Sequence, residues 1–242
     1  RRGVLALAPA LDSSLSEASQ RALAPTAAEG VTILSLLEAQ PGLPWLGPLG
    51  HGAPIDDASL SPDGSLLLTA GGEGGVRIRA THSGHIVAQL RLPPKAGAVQ
   101  LARFSPDGQR VATVSADGEV QLWTAHTGQA LLTDTLDLPP GAVRDATFAP
   151  DGRLLAIATA TGQSYLVDSR TGALAHKLSG HRDEVVMSCF SPDGTRVVTA
   201  SADGLVRMFA VASGAQLAVW KAHPLGVRVA RFSSDGLLVV TA

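Results

Sequence analysis

His181, Ser201 and Asp203 stand close together in the chain, and a nucleophile, a general base and its orienting acid are built from those residue types. Three other stretches invite a chemical reading. His82-Ser83-Gly84-His85 has a spacing found among metal ligands. "GGEGG", residues 71–75, has the small residues of a phosphate cradle but not the Gly-Lys-Ser/Thr ending that a P-loop needs to hold the phosphates and their metal. Cys189 is the single cysteine, and a thiolate is a nucleophile where its surroundings favour the charge.

Each candidate has counterparts elsewhere in the chain. Ser201 and Asp203 sit in Ser-Ala-Asp-Gly, which occurs at 115–118 as well as 201–204, and "GGEGG" aligns with those turns. His82 aligns with His126, Arg170 and Ala212, and no third ligand is evident. Cys189 alternates with Phe190 on a predicted strand, the setting of a small core residue. A group that a fold needs once per repeat recurs, whereas an active site is needed once. We therefore expect these residues to be structural, with no catalytic, cofactor-binding or metal-binding residue among them and no cofactor.

The elements that position them form a repeat. Ser-Pro-Asp-Gly occurs at 61–64, 105–108 and 191–194, with Ala-Pro-Asp-Gly at 149–152 and Ser-Ser-Asp-Gly at 233–236. The glycines of these turns are 44, 44, 42 and 42 residues apart. Alternating runs such as "VQLARF" and "VVMSCF" precede the turns, and further short runs follow them. Alternation with period two between Gly/Asp turns predicts antiparallel strands joined by hairpins. A third turn recurs at 80–84, 124–128, 168–172 and 210–214. Each unit is therefore expected to be a four-stranded meander of about 43 residues. Gly50-His51, Gly180-His181 and the variant Ala222-His223 stand ahead of three of the units.

These features resemble the WD40 family over residues 46–242. The resemblance implies an all-β propeller of four-stranded antiparallel blades, four complete and one partial, at roughly 51–93, 94–137, 138–179, 180–221 and 222–242. No Trp-Asp dipeptide occurs, and the third strands end at Arg79, Trp123, Val167 and Phe209. The resemblance also implies that glycine–histidine loops and second-hairpin turns share one face. It implies a hydrogen bond between His181 and Asp203, continued by Ser201 or Thr199 toward Phe209. The second unit keeps Asp117 and Trp123 without a histidine, the first has His51 with Glu73 and Arg79, and His223 begins the fifth.

Residues 1–45 lie outside the repeat. Ser14-Leu15-Ser16-Glu17 and Thr26-Ala27-Ala28-Glu29 read as capping boxes, predicting short helices at about 14–23 and 26–40. This helical linker resembles the stretch that precedes the propeller in bacterial STAND-type NTPases. The strand-like "PWLGPL", residues 44–49, occupies the place from which such propellers lend an outer strand to their last blade, and an open arc with exposed edges is expected of these 242 residues.

Composition narrows the function. The chain has 242 residues, 45% of them apolar, enough to bury a core. With net charge −2 and scattered charges it lacks the basic footprint of a nucleic-acid binder, and no apolar run is long enough to span a membrane. Lysine is confined to Lys95, Lys177 and Lys221 among 19 basic residues, a bias that suggests a bacterial source. The expectation is a cytoplasmic, non-enzymatic scaffold or sensor module that binds protein partners and is linked to an upstream signalling domain. Arg144, Asp145, Arg182, Asp183 and Glu184 are the candidate partner-binding loop residues. The alternatives are an enzyme with an active site on the propeller, such as a hydrolase or lyase, and an exported surface-binding propeller.

Overall fold

The computed structural model describes residues 55–71, 75–92, 97–131 and 143–242. The predicted N-terminal helices, the 44–49 strand, His51 and Glu73 lie outside the described residues, which contain strands and turns but no helix.

Among the described residues, five antiparallel sheets follow one another in sequence order. The first is β1 (Ile55–Leu60), β2 (Leu66–Gly71), β3 (Gly75–Ala80) and β4 (Ile86–Arg91), paired in that order. The second pairs β5 (Val99–Phe104), β6 (Arg110–Ser115) and β7 (Val120–Thr124). Its expected fourth strand is represented by a single bridge, Trp123 to Ala130, before residues 132–142, which lie outside the described residues. The third comprises β8 (Val143–Phe148), β9 (Leu154–Thr159), β10 (Ser164–Asp168) and β11 (Leu174–Leu178). The fourth comprises β12 (Val185–Phe190), β13 (Arg196–Ser201), β14 (Leu205–Ala210) and β15 (Gln216–Lys221). A hairpin of β16 (Ala230–Phe232) and β17 (Val239–Thr241) forms the fifth.

The sheets stack face to face in chain order, and the core lies between them. Leu68, Val76 and Ile78 of the first sheet pack with Val99, Val111 and Trp123 of the second. Ala112, Val120 and Leu122 meet Phe148, Leu155 and Ile157 at the next interface. Ala156 and Leu166 meet Phe190, Val197 and Phe209, and Val198, Ala200 and Val206 meet Val227 and Ala230. Second strands are covered on both faces, which is why "LLLTAG" and "RVATVS" carry almost no charge and are buried throughout. Fourth strands lie outermost and expose most of their side chains, as in β15.

The Ser-Pro-Asp-Gly turns are held by local chemistry. The serine hydroxyl donates to the aspartate two residues on, as in Ser61 to Asp63 at 2.6 Å. The same hydroxyl accepts the N–H of Leu66, Arg110, Arg196 or Leu238 at 2.9–3.0 Å. The aspartate in turn accepts the N–H of the residue after the glycine, as at Ser65 and Thr195. These bonds hold the Asp63 and Asp193 carboxyls down to about 2, the serine hydroxyl contributing most. Glycine closes each turn because its φ is between +66° and +71°.

Stacking joins the local hairpins into a row of contacts. The ring carbon of Pro62 lies against Gly108, Pro106 against Gly152, Pro150 against Gly194 and Pro192 against Gly236. The first and third turns of each unit are joined by backbone bonds such as Thr81 to Ser65 and Val211 to Thr195. The second turn bonds the loop between repeats, as in Ala202 to Glu184 and Ala222 to Gly204. All the Pro/Ser-Asp-Gly turns therefore lie on one face, and the described glycine–histidine loops lie on the other.

Candidate functional site

On the glycine–histidine face the fourth repeat brings together the residues singled out above. His181 leads into β12 and Asp203 sits in the turn after β13, so antiparallel pairing places them side by side. The ring Nδ1 is 3.0 Å from Asp203 Oδ2, and Nε2 is 2.8 Å from Thr199 Oγ1. The Asp203 carboxylate also accepts the N–H groups of Arg182 at 3.0 Å and Leu205 at 2.9 Å. One carboxylate thus fixes both strand ends and the histidine loop.

The electrostatics fit a neutral ring. Burial lowers the His181 pKa and outweighs the hydrogen bond and charge of Asp203, which act the other way. Burial pushes Asp203 up, but the N–H groups of Arg182 and Leu205 together with His181 bring it below its ordinary value. A neutral ring donates from Nδ1 to the carboxylate and accepts the Thr199 hydroxyl at Nε2.

Thr199, His181 and Asp203 therefore form a hydroxyl–imidazole–carboxylate relay, but it is sealed. The side chains of His181 and Asp203 are 3% and 8% exposed, and Thr199 is 1% exposed. A nucleophile must meet its substrate, and this hydroxyl meets only protein. Its role is to tie the loop to the sheet.

Ser201, offered above as an equal candidate for the middle of this network, does other work. Its hydroxyl donates to the Asp183 carbonyl at 3.2 Å and accepts the Asp203 N–H at 3.1 Å, away from the ring. Thr199 alone continues the chain, and it stops there because Phe209 has no donor. In the second repeat Trp123 Nε1 donates to Thr113, the counterpart of Thr199, at 2.9 Å. Asp117 is bound separately by Ser115. In the fifth repeat His223 Nε2 lies 3.1 Å from Thr241. Thr113, Thr199 and Thr241, at equivalent positions, are thus the recurring hub. In the sequence, threonine stands two before Gly71, Ser115 and Ser201, while the third repeat has Ile157 at that place.

The candidate binding residues separate. Arg144 Nε pairs with Glu184 Oε2 at 2.9 Å, joining the third and fourth repeats across the face. Arg182 and Asp183 are exposed at the tip of the same loop, whose backbone is anchored through the Arg182 N–H and the Asp183 carbonyl. Asp145 is not in the loop. A bulge between Val143 and Asp145 in β8 turns its carboxyl toward the next sheet, where it accepts the Ser188 N–H at 3.1 Å. His82 and His85 gain no third ligand among the described residues. Cys189 is half-buried on β12.

Comparison with known proteins agrees with this geometry. The family model for the WD domain, G-beta repeat, matches residues 46–79, 80–124 and 172–209. The model for the anaphase-promoting complex subunit 4 WD40 domain matches 135–188. No curated protein matches the chain. Among solved structures, it is similar to Chaetomium thermophilum Sqt1, solved bound to the N-terminus of the ribosomal protein L10. The two share 24% identity and a TM-score of 0.69 over 79% of this chain and 56% of that one. At this identity the likeness concerns the fold alone, and the chain spans little more than half of that protein's length.

Proposed function

Because this chain belongs to the WD40-repeat family, we propose that it is a non-enzymatic scaffold that binds protein partners on its glycine–histidine face, as a module of a larger cytoplasmic bacterial signalling protein. The observation that carries the reading is a loop anchored by hydrogen bonds, with a charged, exposed tip. His181, Asp203 and Thr199 hold the backbone from beneath, while Arg182 and Asp183 project into solvent beside the Arg144–Glu184 pair. Loops anchored to a stiff sheet present charge without the ordering cost that a mobile loop meets on binding.

The solved complex of Sqt1 with the L10 N-terminus is a precedent for a propeller of this fold receiving a protein segment. The arginine bias and the capping boxes ahead of the repeat support the bacterial, multidomain setting, with an NTPase or kinase domain supplying the chemistry upstream.

The test is a pull-down from the source organism with identification of what is captured. Arg182→Glu combined with Asp183→Lys should abolish the capture of a specific protein. Arg153→Glu on the opposite face, where the side chain is 82% exposed, should leave it intact. Loss with Arg153→Glu and retention with the double variant would place the interaction on the wrong face and sink the proposal.

A further inference from the structure

Asp-Gly occurs seven times in the chain, at 63–64, 107–108, 117–118, 151–152, 193–194, 203–204 and 235–236. The dipeptide has a chemistry of its own. The glycine nitrogen can attack the aspartate Cγ, and glycine has no Cβ to hinder the approach. In all seven copies that nitrogen is held alike, its N–H donating to the carbonyl three residues back at 2.8–3.2 Å. What differs between the copies is the hold on the carboxyl.

Six of the seven carboxyls are tied by side chains. Ser61, Ser105, Ser191 and Ser233 donate to the aspartate two residues on at 2.5–2.6 Å, and Ser115 binds Asp117 in the same way. Asp203 holds the His181 ring and two backbone N–H groups. Asp151 is the exception. Ala149 stands where the other turns of this kind carry serine, so no hydroxyl reaches the carboxyl. Among the described residues it accepts the Arg153 N–H alone, at 2.9 Å. The Arg153 guanidinium is 3.9 Å away, and the two side chains are 82% and 61% exposed. So open an ion pair restrains the group little. Hydrogen bonds to a charged acceptor are the strong ones, and the missing hydroxyl is therefore the largest difference among the turns.

We propose that Asp151–Gly152 is the site at which this chain forms isoaspartate spontaneously. The Gly152 nitrogen bonds to Cγ of the neutral Asp151 carboxyl, a Cγ–O bond breaks, and the hydroxyl leaves with the amide proton as water. The resulting five-membered imide takes up one water at either carbonyl. Opening at the Asp151 main-chain carbonyl routes the chain through Cβ and Cγ and frees the α-carboxylate, and opening at Cγ restores aspartate. Water is the sole co-reactant.

The turn that is rebuilt joins three repeats. Ser169 donates to the Gly152 carbonyl at 2.5 Å and accepts from Arg110 of the second repeat at 2.6 Å. Pro150 lies against Gly194 of the fourth. One added main-chain carbon moves the Gly152 carbonyl away from Ser169, so the modified chain loses this link. The reaction lies on the face opposite the proposed binding loops and does not depend on what they bind.

The experiment ages the 242-residue chain at neutral pH and physiological temperature. Isoaspartate at each Asp-Gly step is then quantified by proteolysis and electron-transfer mass spectrometry. Asp151 should accumulate it about tenfold faster than any other step, the ratio supplied by one charge-assisted hydrogen bond of about 1.4 kcal/mol. In guanidinium chloride, where no tether survives, the rates should converge. Ala149→Ser should bring Asp151 down to the level of Asp63 and Asp193. Serine already occupies this buried place in other turns, as at Ser61 and Ser105, so the substitution fits. Ser191→Ala should raise the rate at Asp193. Equal rates at all steps of the folded chain, or an Asp151 rate that Ala149→Ser leaves unchanged, overturns the proposal. Persistence of the same ranking in guanidinium chloride also overturns it, because the local sequence would then set the rate. The unaltered chain, folded and denatured, decides alone if a variant does not fold.

Discussion

Replacing Asp203 with alanine tests whether the sealed relay holds the fourth repeat together. The substitution removes the acceptor of the His181 Nδ1–H and of the Arg182 and Leu205 N–H groups. The two backbone groups lie near the surface and can recover water, which limits their loss to about 0.5 kcal/mol each. The imidazole cannot, because its side chain is only 3% exposed, and stranding a donor there costs about 1.5–2 kcal/mol. The sum is about 2.5–3 kcal/mol, a large share of the stability of a typical domain. Thr161 occupies the equivalent turn in the third repeat, and its hydroxyl bonds Thr159 at 2.8 Å. Thr159 keeps a second bond to the Gln163 carbonyl at 2.7 Å, so Thr161→Ala should cost less than about 1 kcal/mol. Urea unfolding of both variants, compared at equal m-value, measures the difference. Equal losses at the two positions would refute the assignment of Asp203 as the keystone of its repeat.

Two further outcomes follow from the same geometry. Burial depresses the His181 pKa, so its contribution to stability is present above 6.5 and is lost as pH falls from 6.5 through the lower folded value. His181→Gln should flatten the stability profile in that window, and an unchanged slope would mean that another group titrates there. Leu238, just before β17, and Val240 on it are 66% and 64% exposed, although Val198, the counterpart of Val240 one repeat earlier, is fully buried beneath the next sheet. The 242-residue chain should therefore self-associate in sedimentation experiments, and Leu238→Lys with Val240→Lys should suppress this. Concentration-independent monomers of the unaltered chain would contradict it.

Much of the fold was legible because its determinants are short-ranged. A Ser-Pro-Asp-Gly turn closes through bonds between residues two to five apart, and each copy announces a hairpin by itself. Alternation along the runs then assigns turns to faces, since a meander must reverse direction at every hairpin. The partnership of His181 and Asp203 followed from the resemblance, and the pairing of β12 with β13 realises it. Thr199 was less legible. Ser201 and Thr199 lie on the same strand two residues apart, and only the twist and the depth of the ring decide which hydroxyl His181 reaches.

Sequence alone determined the repeat and most of its strands, because turn chemistry and alternation are local. Tertiary structure decided everything that passes between repeats. Asp145 looked like a loop charge beside Arg144, yet one bulge in β8 turns it inward onto Ser188, 43 residues away. Arg110 finds Ser169 at a separation of 59 residues, and Pro62 finds Gly108. These contacts depend on the angle and offset at which one sheet lies on the next. That geometry is set by the summed packing of two apolar faces and by bulges that one residue can create, and no local pattern encodes it.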